Sequence, residues 1–367
     1  MKLADIVHQF EADFLHQHGS KLLPSGRAAL NAFKSCRNAL SAKMAVQCND
    51  CHTTEYVPHS CGHRNCPHCQ AHESQQWITR QHAKQLPCDY FMVTFTLPKE
   101  WRELAWGHQK IIYDLITKTA WDTVNTFSQN DKQLQGTTGA VTVLHTHTRR
   151  LDYHPHVHLV MPAGAINHKE KLWRVKKGKY LFDHKALATV FRAKMHEGVK
   201  QAGLSMPTGA PKKWIVDCKN VGLGDKALVY LGRYLYRGVI AEKDILSSKN
   251  KMVSFRYRDS KTKCQKIRTV SGVEFLRLIL QHTLPRGFRR ARNYGFLHPN
   301  SKRTIVLLRL MLKVVFTPYV PTVRPAWRCV CCGGAKTVLA RRIKLRQATK
   351  AGADSMRSAS AQPGITV

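Results

Sequence analysis

The sequence of 367 residues predicts an α+β protein: a histidine-bearing sheet with flanking helices, preceded by a helical, cysteine-rich segment. Three observations carry that prediction. Tyr90–Leu97 and Ala140–Thr146 alternate and are rich in β-branched or aromatic residues, as strands are, and His154-Pro155-His156-Val157-His158-Leu159-Val160 repeats histidine at every second position. Lys99 to Gln129, and the segment from Asp183 onward, repeat apolar residues at helical spacing. Two C-x-x-C pairs, Cys48 with Cys51 and Cys66 with Cys69, come before all of these.

Taken in order, residues 1–45 read as helical. Ile6, Val7, Phe10, Phe14 and Leu15 fall on one face. Pro24-Ser25-Gly26 breaks the pattern, and a second helix carries Ala29, Leu30 and Phe33. The C-x-x-C pairs follow, with Cys61 and His63 in the gap. Each pair makes a tight turn that aims two thiolates at one point, and two pairs close a tetrahedron around a structural Zn²⁺. The expected ligands are Cys48, Cys51, Cys66 and Cys69, and Cys61 can replace one of them. His52, His63 and His68 are surplus once four thiolates are present, and Arg64 offers a contact for DNA. Pro98 ends the first strand, and Leu104, Ile111, Ile112, Leu115, Trp121 and Val124 mark the long helix after it. Asp183 is a natural N-cap for a helix through Leu187, Val190, Phe191 and Met195, and Trp214–Cys218 reads as a further short strand.

Residues i, i+2 and i+4 of a strand share a face, so His154, His156 and His158 point one way while Val157 and Leu159 point into a core. Parallel imidazoles at that spacing can hold one divalent ion, although a half-buried strand with histidines facing water has the same pattern. Gly224–Gly238 reads as a helix, with Asp225 capping its start and Gly238 supplying a left-handed exit. Tyr230 and Tyr234 stand one turn apart on one face, and Arg233 and Arg237 on a neighbouring one. Core packing is the ordinary reason for such a tyrosine pair. Gly232, mid-helix, costs about 1 kcal/mol relative to alanine. Its presence implies a close neighbour, either the sheet or a DNA backbone.

Met252–Arg258 and Gln265–Val270 frame a hairpin, and Ser271 with Glu274 forms a capping box before a helix over Phe275–Leu284. Arg286, Arg289, Arg290 and Arg292 interleave with Phe288, Tyr294 and Phe296. Such a mix suits phosphate contacts and base stacking, or equally a solvated loop. Cys329 and Cys332, followed by Gly333-Gly334, form another C-x-x-C turn that either completes a site with distant ligands or stands alone. The expected organisation is a helical, zinc-binding region over 1–85, a catalytic domain over 86–245, a basic extension over 246–310, a segment with the last C-x-x-C over 311–345, and a disordered tail over 346–367.

Composition narrows the function. Lys+Arg outnumber Asp+Glu by 59 to 23, a net charge of +36 spread along the chain. A polyanion, nucleic acid rather than membrane, is the partner that fits. At 43% hydrophobic residues the chain can bury real cores, which excludes a disordered protein, and it is long for a ribosomal one. The N-terminus shows no apolar signal segment, and the apolar run Thr304–Val320 is interrupted by Arg309 and Lys313. A cytoplasmic, nucleoid-associated protein is expected, and cysteines in a reducing compartment favour metal sites over disulfides.

His156-Val157-His158 resembles the His-hydrophobe-His motif of the HUH endonucleases, and a tyrosine-bearing helix follows it. With the cysteine motif in front, the order is similar to that of the rolling-circle transposases of the insertion-sequence-91 family. Ser60–Gln70, Phe95–Pro98, His154–His158, Tyr230–Tyr234, His282–Phe288 and Arg292–Gly295 are also similar, so the resemblance spans roughly 25 to 335. It implies an HUH-type antiparallel sheet flanked by helices. It implies cleavage and rejoining of single-stranded DNA at element ends, with Tyr230 and Tyr234 as nucleophiles that leave a 5′-phosphotyrosine. His156 and His158 would hold Mg²⁺ or Mn²⁺, with His154 on the same strand or His145 on the next as third ligand. Arg233, Arg237, Arg289, Arg290 and Arg292 are the expected DNA contacts. A plasmid replication initiator or relaxase with the same chemistry, and a catalytically inactive zinc-containing DNA-binding protein, are the alternatives.

Overall fold

A computed structural model of the chain describes residues 1–38, 41–236, 238–259, 262–315 and 328–343. In chain order the helices are α1 (Leu3–His18), α2 (Pro24–Ser35), α3 (Ala71–His82), α4 (Arg102–Gly107), α5 (Gln109–Asn130), α6 (His184–Gln201), α7 (Asp225–Tyr236), α8 (Gly272–Leu280) and α9 (Lys302–Met311). The strands are β1 (Lys43–Cys48), β2 (Thr54–Pro58), β3 (Tyr90–Thr96), β4 (Gly139–His147), β5 (Tyr153–Pro162), β6 (Gly164–Asn167), β7 (Leu172–Val175), β8 (Val216–Asn220), β9 (Ile245–Lys249), β10 (Met252–Arg258), β11 (Gln265–Ser271), β12 (Ala291–Gly295) and β13 (Lys336–Ile343).

The chain divides into two compact units, one of residues 1–34 and 62–324, the other of residues 35–61 and 325–367. The second unit therefore joins stretches from opposite ends of the sequence, where the sequence suggested successive segments. The expected disordered tail from 346 lies outside the described residues.

The larger unit is built on a five-stranded sheet in the order β12-β4-β5-β3-β8, antiparallel throughout. Period-2 alternation gives it two apolar faces. On one, Val93, Phe95, Leu144, Val157 and Leu159 are buried against Ile112, Ile116 and Val124 of α5 and Phe191 and Met195 of α6. On the other, Val141, Val143 and Val160 pack with Leu228, Leu231 and Leu235 of α7 and with Trp77 and Ile78 of α3. Each such side chain contributes about 1.5–3 kcal/mol when fully buried, so the two layers fix α7 firmly above the second face. Strands β9 to β11 form a separate three-stranded sheet beside the expected hairpin.

Several local expectations shift. Residues 43–48 form β1 rather than extending the N-terminal helices. The long helix breaks at His108, into α4 and α5. Asp183 caps α6 as expected, its carboxylate accepting from the Lys185 and Ala186 amides at 2.6 and 3.0 Å. Ser271 caps α8 through the Glu274 amide at 3.2 Å. The smaller unit is a three-stranded antiparallel sheet in the order β13-β1-β2. Among the described residues no helix is long and apolar enough to cross a membrane.

Candidate active site and cysteine cluster

In the β4–β5 ladder His145 stands directly opposite His156. His158, two residues on, shares their face. The ligand-capable nitrogens of these three imidazoles lie within 4.8 Å of one another. His145 is 1% exposed, and its Nε2 has no hydrogen-bond partner among the described residues. His156 Nδ1 meets the His154 carbonyl at 2.7 Å, and His158 Nδ1 meets the Thr94 hydroxyl at 2.9 Å. With Nδ1 engaged, each of those two rings keeps Nε2 for a ligand. Burial pushes all three imidazoles down, His158 to about 3, and leaves them in the neutral, metal-binding form.

The structure thus selects His145 rather than His154 as the third member. His154 lies at the entry of β5, where Arg102 Nη2 donates to its Nδ1 at 3.0 Å. Strand spacing alone favoured His154, whereas cross-strand register decides for His145.

Helix α7 runs over this histidine face. Tyr230 is 45% exposed, and its ring centre lies 5.9 Å from that of His145 and 5.8 Å from that of His158. Partial burial raises its hydroxyl pKa, and nearby Arg149 lowers it. Tyr234 stacks on His145, centres 3.2 Å apart and planes inclined by 12°. Its hydroxyl is already engaged, pairing with His147 Nδ1 at 2.9 Å and accepting from the Thr146 amide at 3.2 Å. Burial pushes that hydroxyl up, against the pull of the Arg290 guanidinium 5.7 Å from the ring centre. The two tyrosines share a face as the spacing implied; Tyr230 is exposed, whereas Tyr234 is half-buried with its hydroxyl engaged.

Gly232 is what lets α7 sit this close. A Cβ there would lie 2.3 Å from Ile78 Cγ1 and 3.0 Å from Trp77 Cε3, so its close neighbour within the chain is α3 rather than the sheet. Ser74 of α3 also donates to the Gly232 carbonyl at 3.0 Å. Gly238 is small for a related reason and is not in a left-handed conformation: a Cβ would lie 2.9 Å from the Asn65 carbonyl oxygen.

A cavity of about 920 Å³ opens beside the tyrosines, lined in part by Arg149, Lys226, Tyr230, Arg233, Tyr234 and Lys243. Arg233 therefore borders the same cavity as the two tyrosines. Arg237 lies outside the described residues. Arg289 is exposed. Arg290 and Arg292 are half-buried and already engaged: Arg290 lies under Tyr234, and Arg292 pairs with Asp114. The aromatics between them are turned inward, with Phe288 and Phe296 buried and Tyr294 stacked on Trp121 at 5.3 Å. The segment forms edge strand β12, so the expected stacking patch for bases is absent. Arg64 likewise serves the fold, donating to the Phe288 and Pro285 carbonyls at 2.8 and 2.9 Å.

The cysteines divide differently from the expected Cys48, Cys51, Cys66 and Cys69. Cys48 and Cys51 gather with Cys329 and Cys332, all four sulfurs within 4.8 Å of one another. Cys66 and Cys69 belong to the larger unit, and Cys61 ends the first stretch of the smaller one. Spacing could not show this, because it names C-x-x-C turns without naming their partners.

Residues 139–304 match the family model Y2_Tnp, described as "Putative transposase", and residues 6–97 match the model Zn_Tnp_IS91, described as a transposase zinc-binding domain. A "Putative transposase y4qJ" of Sinorhizobium fredii is 30% identical over 319 residues, covering 81% of this chain and 80% of that one. The "Transposase for insertion sequence element IS801" of Pseudomonas savastanoi pv. phaseolicola is 28% identical over 298 residues, covering 76% of this chain and 69% of that one. Two solved structures of the conjugative relaxase TrwC with DNA are similar at a TM-score of 0.26, one at 16% identity over 34% of this chain and 48% of that one, the other at 12% over 62% and 75%. The chain belongs to the insertion-sequence-91 family of transposases.

Proposed function

We propose that this transposase cleaves and rejoins single-stranded DNA through a 5′-phosphotyrosine, in a rolling-circle reaction at the ends of its element. The observation that carries the reading is a solvent-reaching tyrosine, Tyr230, held on a fixed helix above three neutral imidazoles, one buried and two half-buried. The donor set fits a divalent ion: His145 has an orphaned, buried Nε2, and His156 and His158 each keep Nε2 unshared. His145, His156 and His158 would hold Mg²⁺ or Mn²⁺, and three nitrogen donors suit Mn²⁺ better than oxygen-preferring Mg²⁺. When bound, the ion polarises the scissile phosphate and offsets charge in the transition state.

Tyr230 is the first nucleophile. Its phenolic oxygen attacks phosphorus, the P–O3′ bond breaks, and the leaving 3′ oxygen takes up a proton. The covalent bond to the 5′ phosphate conserves the energy needed for rejoining. Arg149 beside Tyr230 favours the phenolate, and Arg233, Lys226 and Lys243 line a basic cleft for the strand. Tyr234 serves the second transfer, once its hydroxyl leaves His147 and the Thr146 amide.

The test is covalent capture. The full-length protein is incubated with Mn²⁺ and a 3′-labelled single-stranded oligonucleotide from an element end, then run on a denaturing gel. A labelled protein band is expected, lost in Tyr230→Phe and His156→Ala and retained in Tyr234→Phe. Binding without any covalent band would refute the reading and leave a DNA-binding protein.

A further inference from the structure

We infer that the far end of the chain completes a zinc site with the first C-x-x-C pair: Cys329 and Cys332 join Cys48 and Cys51 as a four-thiolate Zn²⁺ site. Four sulfurs around Zn²⁺ at ~2.3 Å stand roughly 3.8 Å apart in a tetrahedron. Here Cys48 Sγ lies 3.4 Å from Cys332 Sγ, and Cys51 Sγ lies 3.6 Å from Cys329 Sγ. Those separations are far beyond the ~2.05 Å of a disulfide bond. Close-set thiols with no bond between them are the arrangement a metal ion holds together.

The backbone is built for the same purpose. Cys48 and Cys51 sit on the turn between β1 and β2, where the Cys48 amide donates to the Thr53 carbonyl at 3.0 Å. Cys329 and Cys332 sit on a matching turn before β13, closed by the Cys329 amide on the Gly334 carbonyl at 2.8 Å and the Gly333 amide on the Cys329 carbonyl at 2.9 Å. Gly333 has a φ of +74°, a conformation that favours glycine. A Cβ on Gly334 would fall 2.1 Å from an Asp50 carboxylate oxygen and 3.1 Å from Cys48 Sγ, so the two turns meet closely at this residue. The Asn49 amide donates to the Ala335 carbonyl at 2.9 Å, and Thr337 Oγ1 donates to Asn49 Oδ1 at 2.6 Å. The ladder of β1 with β13 then extends the join, Cys48 facing Lys336 and Val46 facing Val338.

Two pairs of ligands so far apart in sequence have a consequence for assembly. The site is unfinished until the last part of the chain has been synthesised, and the energy of metal binding becomes folding energy for a sheet whose strands come from both ends. The family model for the zinc-binding domain ends at residue 97, so it contains only half of this ligand set.

The experiment uses the full-length protein and reads metal content, not activity. Zinc per chain is measured by plasma mass spectrometry after desalting, and thiolate coordination is read from the absorption of the cobalt-substituted protein. Cys329→Ser with Cys332→Ser is expected to lose about one equivalent of zinc and the matching share of the cobalt–thiolate band. Cys331→Ser, at the exposed cysteine between them, is expected to keep both. Cys332→His, which preserves a donor, is expected to restore the metal with a weaker cobalt–thiolate band, and this separates lost ligation from lost folding. Full zinc retention in the Cys329→Ser, Cys332→Ser protein would overturn the assignment, as would equal loss in Cys331→Ser.

Discussion

His145 and His156 are opposed in the β4–β5 ladder, so register, not the local motif, brings a third imidazole to the pair that we propose holds the metal. His145→Ala should therefore weaken Mn²⁺ binding about 10- to 100-fold, as expected for losing a ligand or its support, and His154→Ala by far less. Calorimetric titration of the full-length variants checks this; a larger loss in His154→Ala would restore the sequence-based choice. A second residue-scale prediction concerns acid. His282 is fully buried, its Nε2 3.0 Å from the Leu151 carbonyl, and burial pushes its pKa down to about 3. An unfolded imidazole titrates near ~6.5, so between those values the unfolded chain binds the extra proton. The stabilisation is complete above about pH 6.5 and is lost as pH falls toward 3. Melting temperature should drop from pH 7 to pH 5, with a shallower slope in His282→Gln; an unchanged slope would show that His282 is protonated without cost. The i, i+2 histidines and i, i+4 tyrosines were legible because a strand and a helix repeat at fixed periods. The places of His145, His147 and Arg290 around Tyr234 were not legible, because each enters the site through tertiary packing.

Helix α7 shows the same division between local and non-local information. Its amphipathic spacing placed Tyr230 and Tyr234 on one face and Leu228, Leu231 and Leu235 inside. The glycine between them signalled a close neighbour, but α3 was hidden in a stretch read for its cysteines. Gly232→Val would force side chain into Ile78 and Trp77. Overpacking of this kind costs about 1–3 kcal/mol, so melting temperature should fall by several degrees and covalent capture of DNA should fall with it, as α7 shifts off the histidines. A variant that melts like the parent would mean that α3 and α7 separate freely. Strand β12 was misread for a different reason. Arginines and aromatics alternate there as they would in an exposed patch, but the aromatics are packed inward and Arg292 is paired. Composition cannot tell which side of such a segment faces water.

For the molecule as a whole, a net charge of +36 makes a polyanion partner the natural expectation, and the cleft beside Tyr230 concentrates part of that charge. Binding to single strands should weaken steeply with salt, with a slope of about −0.7 per phosphate neutralised. Arg233→Ala should lower affinity and reduce that slope by about one contact, as read by fluorescence anisotropy at several salt concentrations. An unchanged slope would place the strand elsewhere. The antiparallel sheet and the family were legible from motif order, whereas the discontinuous unit of β1, β2 and β13 was not, since no local pattern links residues 48 and 332. In the proposed reaction α7 delivers a tyrosine to DNA over the histidine face. The most direct measurement is peptide mapping by mass spectrometry of the covalent adduct formed with Mn²⁺ and a single-stranded element end. The 5′ phosphate is expected on Tyr230 after a single cleavage. An adduct on a residue outside α7, or one that forms undiminished in the His145→Ala, His156→Ala, His158→Ala protein, would contradict it.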